Sequence, residues 1–336
     1  MVNDFKRAKH QTTANNFKQK IFELMKKIFS IFVAALMSAT MLAAETQYLP
    51  ISVYAADDSE SFPQGAKAMI ENKLTQLLTR NGIAGLDYMG QFLLTVTTTP
   101  LDKDVIPGPP AKIAEKMEMN LYIVDQYAKT IFSSTSLTVK GLGETENKCY
   151  LNAISRMPLQ TPAIAKFVEE GKTKIIEYYD HEGEALIKKA QTLAAQKQYE
   201  EAIYWISLIP QQSKHYDAAL TAGIDIYHMY IDNQCNINLA KARAAWAAQQ
   251  NAEGAAAAGE FLTNILPDAK CYGEAMELYK EIKGKVLDDW KFEMKMYQDG
   301  IDLQSQQIDA MRQIGVAYGN HQPNKEVNIE FIRTLL

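Results

Sequence analysis

Apolar and polar residues follow two different patterns along this chain, and the change comes near its middle. From Tyr48 to about residue 180, short segments rich in β-branched residues are mixed with helical ones. After Glu184 almost all apolar residues recur at three- and four-residue spacing, which is typical of amphipathic helices. The pattern therefore predicts an α+β protein, in which a sheet-and-helix domain precedes an all-α domain that ends in a long helix.

The first domain, residues 45–180, is predicted to have the order β-α-β-β-β-α. Its elements are a strand at 48–54, a helix at 64–81, strands at 92–99, 112–123 and 131–139, and a helix at 145–157. In the fourth element Met117, Met119 and Leu121 alternate with polar residues, which predicts a strand with one buried face. Gly141-Leu142-Gly143 is interpreted as a turn that ends the next strand.

The second domain, residues 184–336, follows a linker predicted near Tyr178–Gly183. Its predicted helices lie at 188–209, with a tight turn at Gln198, and at 216–230, 239–250, 254–266 and 272–316. The last of these is long, with an interruption expected near Gly284. Pro210 and Pro267 close two of the helical segments, because proline cannot continue a helix.

An export signal is predicted inside the N-terminal region, and it begins at residue 25. Met25-Lys26-Lys27 is a basic start, residues 28–42 are an apolar run, and Ala43 and Ala44 supply small residues for cleavage. The alternative is an uncleaved membrane anchor, although a spanning helix needs about 20 apolar residues. Residues 1–24 are polar and basic, so either the basic region is long or Met25 is the true initiator. Residues 1–44 are thus predicted to be a leader.

Removal of the leader changes the charge of the protein. The whole chain has 35 basic and 40 acidic residues, of which residues 1–44 hold seven and two, so the remainder carries a net charge of −10. An acidic body argues against nucleic acid and anionic lipid as partners, since phosphate binding needs a basic surface. No cysteine lies directly after the apolar run, so a lipidated N-terminus is not supported. A periplasmic or secreted protein without direct membrane insertion is predicted.

Three cysteines, Cys149, Cys235 and Cys271, are too few and too scattered for a disulfide framework. None has the spacing of a zinc site. In an oxidising compartment Cys235 and Cys271 can pair, because both lie near predicted helix ends. The alternative is three buried thiols that pack as small apolar side chains.

The first domain resembles the periplasmic αβ domain shared by the curli-secretion channel family, flagellar assembly protein T and the N-terminal domain of the Tol-system propeller protein. The resemblance depends on the strand Ile51–Tyr54 with the helix Ala66–Leu78, and on Gly141-x-Gly143 before a helix in which Cys149 and Ala153 face inward. It implies an envelope assembly or docking module and not an enzyme. Channel members add long membrane-inserting hairpins, which are not predicted here, so pore formation is not implied.

The second domain is similar to tetratricopeptide helical hairpins. Such hairpins stack because one alone cannot bury its apolar face, and their concave surfaces commonly bind peptides. The resemblance therefore implies contact with other envelope proteins or peptide segments, and the alternative is a plain helical bundle. The residues that match, and that are predicted to pack the repeat or mediate interaction, are Leu186, Ala190, Leu193, Tyr199, Ala202 and Ile206.

The sequence contains no recognisable catalytic, cofactor or metal motif. His181, His215 and His228 lack a partner at helical spacing for a metal pair. The acidic run at residues 57–60 offers oxygen ligands for Ca²⁺, but it lacks EF-hand spacing and is interpreted as a solvated loop. No catalytic residue and no cofactor is therefore predicted.

The sequence as a whole predicts an exported scaffold or adaptor of the cell envelope that mediates protein–protein interaction and performs no catalysis. Self-association is left open. Two alternatives remain: an enzyme with an unrecognised site, for example a glycan-acting hydrolase, and a periplasmic module that binds a small ligand. A hydrolase of that kind needs paired carboxylates across a cleft.

Overall fold

A computed structural model describes residues 47–55, 65–286, 292–295 and 303–321, together with Phe331 and Thr334. These residues belong to one compact unit. The predicted leader at residues 1–44 and the acidic run at 57–60 lie outside the described residues.

Four strands form a mixed sheet, in which one pair of neighbouring strands is parallel and two pairs are antiparallel. The strands are β1 (Gln47–Tyr48), β2 (Ile51–Val53), β3 (Ile83–Ala84), β4 (Phe92–Ile106), β5 (Lys112–Asp125) and β6 (Thr130–Gly143). The four-stranded sheet has the order β2-β4-β5-β6, with β2 parallel to β4, and β1 pairs separately with β3. The predicted strand at 48–54 is thus two strands, and Pro50, which has no amide hydrogen for a ladder, lies between them.

In the described part of the chain one helix lies between the strands, and the others follow the last strand. They are α1 (Ala66–Arg80), α2 (Glu146–Ser155), α3 (Pro162–Ala195), α4 (Tyr199–Ser207), α5 (Tyr216–Ala248), α6 (Ala252–Leu262), α7 (Tyr272–Val286) and α8 (Leu303–His321). An N-terminal sheet followed by a helical region confirms the predicted α+β class.

One face of the sheet is buried as the period-2 pattern predicts. Met117, Met119 and Leu121 of β5 are at most 1 % exposed, in one core with Ile70 and Leu74 of α1. The alternate residues of β5 are largely half-buried or exposed. Burial of a full apolar side chain contributes about 1.5–3 kcal/mol, so this face dominates the stability of the first half.

The link between β6 and α2 differs in one respect from the prediction. Thr145 caps α2 as expected, with its hydroxyl accepting a hydrogen bond from the Lys148 amide at 3.2 Å. Gly141, however, lies within the strand and not in a turn. A Cβ at Gly141 would overlap the backbone of Cys149, so glycine is needed there because α2 crosses the strand at close range.

Strand β4 continues seven residues beyond its predicted end and β6 four, whereas β5 is close to its predicted bounds, and the three form a long ribbon. The strand predicted to end at Thr99 runs to Ile106, and the loop at residues 107–111 returns the chain to β5. Asp102 faces Lys116 and Lys103 faces Glu115 across the ladder. Opposite charges stabilise cross-strand pairs, which offsets the low strand propensity of Asp and Lys. A long hairpin is therefore present after all.

The linker predicted near Tyr178–Gly183 is wrong, because these residues lie in the middle of the 34-residue helix α3. The ring centroids of Tyr178 and Tyr179 lie 5.1 and 5.9 Å from that of Phe92 in β4. This segment is therefore held by the core of the sheet. The domain boundaries at 180 and 184 stay a prediction.

One further helix prediction is corrected. The helices predicted at 216–230 and 239–250 are one helix, α5, because Cys235 and Leu239 remain buried across the polar stretch between them. The long helix predicted at 272–316 is interrupted after Val286, two residues beyond the break expected near Gly284. Residues 292–295 are not helical, and the Tyr272 hydroxyl donates to the Lys295 carbonyl at 2.6 Å, so the chain turns back along α7.

Candidate interaction surfaces

The six residues singled out as repeat positions meet in one helical hairpin. The C-terminal half of α3 and helix α4 pack side by side, and Lys197 turns the chain between them with a φ of 63°. Of the six, Ala190, Ala202 and Ile206 are buried, whereas Leu186, Leu193 and Tyr199 are half-buried against the same core. The residues pack the hairpin, and their part in binding stays a prediction.

Asp180 holds the loop at the C-terminal end of this hairpin, which we call the first hairpin (residues 180–216). Its Oδ1 accepts hydrogen bonds from the Lys214 amide and from the Ser213 hydroxyl, both at 2.8 Å. Desolvation raises the pKa of this carboxyl, but the two hydrogen bonds outweigh it and hold the pKa below its ordinary value. Asp180 therefore acts as a cap for the start of α5 from a distant part of the chain.

The second hairpin (residues 232–272) repeats this arrangement. Asp232 accepts a hydrogen bond from the Lys270 amide at 2.8 Å and pairs with the Lys270 ammonium at 2.7 Å. Here too desolvation raises the pKa of the carboxyl, and the bonds from Lys270 outweigh it, so the pKa is lowered. The loops carry matching backbone hydrogen bonds, Ile209 to Ile206 and Ile265 to Leu262, each at 3.1 Å. The two hairpins are therefore closed by matching hydrogen bonds.

The two hairpins differ at one pair of equivalent positions. Three residues after the capping aspartate, the first hairpin has Gly183 packed against His215, and the second has Cys235 bonded to Cys271. The Cα atoms of the cystine are 6.0 Å apart, and the pairing that the sequence left open is therefore formed. Cys149 is free and buried, and burial raises the pKa of its thiol.

Helix α8 covers one face of the first hairpin. It packs against α4 and α5, and the rings of Tyr204 and Tyr318 lie 5.5 Å apart. Burial raises the pKa of Tyr204 to about 12. A cavity of about 90 Å³ remains beside Met311 and Arg312.

A larger cleft lies between α1 and the strand edge at β2. Its volume is about 440 Å³, and its walls include Leu78 and Leu86 together with the carboxylates of Glu71 and Asp87. Glu71 accepts a hydrogen bond from the Ala55 amide at 3.4 Å. The cleft is of the size that small ligands occupy.

Clusters that could bind a metal ion are not found in the part of the chain that the structure describes. No group of three or more His, Cys, Asp or Glu residues there is placed to hold a metal ion. His181 is exposed beside Glu182, His215 contacts the Asp180 carbonyl, and His228 lies 3.5 Å from Gln307. No described helix is both long and apolar enough to cross a membrane.

The end of the ribbon carries several exposed apolar side chains, a group that we call the ribbon tip. It consists of Leu101, Val105, Ile106 and Leu142, with exposed fractions of 50, 66, 47 and 36 %. Lys103 pairs with Glu146 at the start of α2, which ties the tip to the helical layer. This surface was not predicted from the sequence. The signal for it is that oppositely charged residues lie at matching distances before and after the loop at residues 107–111, as in Asp102 with Lys116, which indicates that both strands continue to the loop.

Comparison with known proteins gives limited similarity. No family model and no curated protein matches the chain. Among solved structures, it is similar to a minor lipoprotein from Acinetobacter baumannii, with 16 % identity over 39 % of this chain and 90 % of the other, at a TM-score of 0.22. It is also similar to a PelC dodecamer from Paraburkholderia phytofirmans, with 13 % identity over 39 % and 89 %, at a TM-score of 0.21. Neither similarity extends to the whole fold.

Proposed function

We propose that this protein is an exported adaptor of the cell envelope that binds other proteins and performs no catalysis. The observation that carries the proposal is the ribbon tip. Four large apolar side chains are exposed on the two faces of the ribbon's end, whereas most other large apolar side chains of the described residues are buried or half-buried. Groups of exposed apolar side chains commonly mark sites of association.

The chemistry of the ribbon tip favours a protein over a lipid as its partner. Asp102 and Asp104 lie between Leu101 and Val105, and carboxylates are costly to bury in hydrocarbon. A protein partner can pair with them at the rim of an interface, where charged groups contribute to specificity. A folded ribbon also loses little conformational entropy on binding, which favours affinity.

The helical half supplies a stiff frame for this docking element. Both hairpins are closed by buried or half-buried aspartates, and the second is cross-linked by Cys235–Cys271. A cystine of this kind fits the export that the leader sequence predicts, because disulfides persist in oxidising compartments. Docking through the helical half itself remains part of the proposal, with Met229 and Ile237 as its exposed apolar residues.

The test is a crosslinking pulldown of the full chain, expressed with its own leader. The variant Val105→Ser with Ile106→Ser should lose the captured proteins and keep its melting temperature. The matched control, Met229→Ser with Ile237→Ser, removes two exposed apolar side chains from α5. Loss of capture in the control alone would move the docking surface to the helical half. No specific capture by any form of the protein would contradict an adaptor.

The cleft supports a second candidate function, a glycan-acting hydrolase or a small-ligand module. Glu71 and Asp87 line the same cleft, and paired carboxylates are the catalytic groups of most glycoside hydrolases. A thermal-shift screen with glycans and small acids would reveal a ligand as a raised melting temperature. Glu71→Gln and Asp87→Asn should then each remove hydrolysis, if the cleft is an active site.

A further inference from the structure

Strand β6 forms one edge of the sheet, and within the described ranges no strand pairs with its outer side. The sheet order ends at β6, and its register with β5 is unbroken from Ser133 to Gly143. The Leu142 amide donates to the Asn152 side chain at 3.1 Å, so it points away from β5. Because backbone groups alternate along an antiparallel strand, the amides of Ser134, Ser136 and Thr138 point outward as well.

The ends of this edge are protected, and its centre is not. The register of β6 against β5 is irregular near Phe132, and Lys140 with the Asn152 bond protects the other end. Between them, residues 133–139 contain no charge, proline or glycine. Natural sheets protect exposed edges with such residues, because bare edges pair with other strands.

We propose that two copies of this chain pair through β6 as antiparallel strands, with the two-fold axis at Ser136. In this register Ser136 faces its own counterpart, and Ser134 faces Thr138 of the second copy. The outward amides and carbonyls of these three residues then hydrogen-bond between the copies. A two-fold contact of this kind uses the same patch on both subunits.

The side chains at this edge suit a second copy. Ser134, Ser136 and Thr138 are exposed, and the Ser136 hydroxyl donates to the Asn120 side chain on the neighbouring strand. Hydroxyl pairs across antiparallel strands are favourable, which leaves Ser134 and Thr138 to pair between the copies. Lys140 lies opposite Phe132 of the second copy, so the pairing places no like charges face to face. The segment is uncharged and self-complementary, which favours its own copy over a charged peptide. The two ribbon tips point in opposite directions in such a dimer.

The test is the sedimentation of the full chain over a wide range of concentration. The protein should pass from one copy to two as concentration rises. Ser136→Lys should weaken dimerisation at least about fivefold, because it places two ammonium groups side by side at the axis. An equal mixture of Ser136→Lys and Ser136→Asp should restore dimers, since opposite charges then meet.

The control is Ala256→Lys, which adds the same charge to an exposed position of α6 and should leave dimerisation unchanged. Ser136→Cys gives a second readout, because opposed Cα atoms in such a pair are about 5.5 Å apart and within reach of a disulfide. It should yield a cross-linked dimer on a non-reducing gel, whereas Ala256→Cys should not.

A monomer at every concentration would overturn the proposal, and so would a dimer that Ser136→Lys does not weaken. The proposal is independent of the adaptor function. Capture of partners is tested at the ribbon tip, and dimerisation is tested at residue 136, so either can fail alone.

Discussion

The two helical hairpins share one design and are closed in different ways. In each, an aspartate within a long helix accepts a hydrogen bond from a backbone amide just before the next long helix. Three residues after the aspartate, Gly183 of the first hairpin packs against His215. At the equivalent position of the second hairpin, Cys235 forms a disulfide with Cys271. The same backbone geometry therefore accepts either a tight contact or a cystine at this position.

The surroundings of the two hairpins explain the difference. The first hairpin has neighbours on two sides. Its helix α3 contacts the sheet, and its helix α4 packs against α8. In the second, α6 packs mainly against α5 and, more lightly, α7 in the described part of the chain. A hairpin with fewer neighbours buries less apolar surface, so a cross-link that restricts the unfolded chain has more to contribute.

Removal of the cystine should have the largest effect. We expect Cys235→Ser with Cys271→Ser to lower the free energy of unfolding by about 2–4 kcal/mol. Without the cross-link the unfolded chain regains the conformational entropy that the closed loop had removed. Urea unfolding measures the change. Reductant should lower the stability of the wild-type protein to that of the variant and leave the variant unchanged. Equal stability of the oxidised and reduced wild type would contradict this.

Filling the contact in the first hairpin should have the next largest effect. A Cβ at position 183 would lie 2.7–2.8 Å from three atoms of His215, so Gly183→Ala should destabilise by about 1–3 kcal/mol. Alanine normally stabilises a helix relative to glycine. Gly284→Ala, which meets no atom within 4 Å, is the matched control and should be neutral or stabilising. His215→Ala should rescue Gly183→Ala, and failure of that rescue would place the strain elsewhere.

What the sequence predicts and what it misses can be traced to particular residues. Periodicity predicts α1 and the buried face of β5. Leu74 belongs to apolar residues spaced three or four apart, as in a helix, and Met119 belongs to apolar residues at every second position, as in a strand. It misses the start of α3, although Thr161 caps this helix and Pro162 stands in its first turn, which are local signals. It also misses the end of β4, where pairing with β5 overrides local propensity. The pairing of Asp102 with Lys116 depends on a partner strand, and no single segment reveals it.

The interaction surfaces are harder to predict than the fold. The six repeat residues were found because their spacing is local, and they lie together in the first hairpin. The ribbon tip and the β6 edge depend on which strands neighbour each other and on where the helical layer ends. The equivalence of Gly183 with Cys235 is hidden in the sequence, because glycine and cysteine share no property that a pattern detects.

Loss of the capping carboxylates should have a smaller effect, and an unequal one. Asp180→Ala should cost about 1 kcal/mol, as for other caps, because it leaves the Lys214 amide without its acceptor. Asp232→Ala should cost less, since the cystine at Cys271 still holds the adjacent Lys270 in place. In the cystine-free variant the cost of Asp232→Ala should rise to that of Asp180→Ala. A double-mutant cycle measures this coupling, and additivity would show that cap and cystine act independently.

Acidity should produce the smallest difference, and it should affect both hairpins in the same direction. Both carboxyls have a pKa below the ordinary value of about 3.9, so each stabilises the fold above that pH and loses its contribution as pH falls through the lowered pKa. Asp180→Asn with Asp232→Asn keeps an oxygen acceptor but removes both charges. We expect this variant to be close to wild type in acid and slightly less stable at neutral pH, so its stability falls less on acidification. Parallel pH profiles for the two proteins would show that hydrogen bonding, and not charge, is what the two aspartates share.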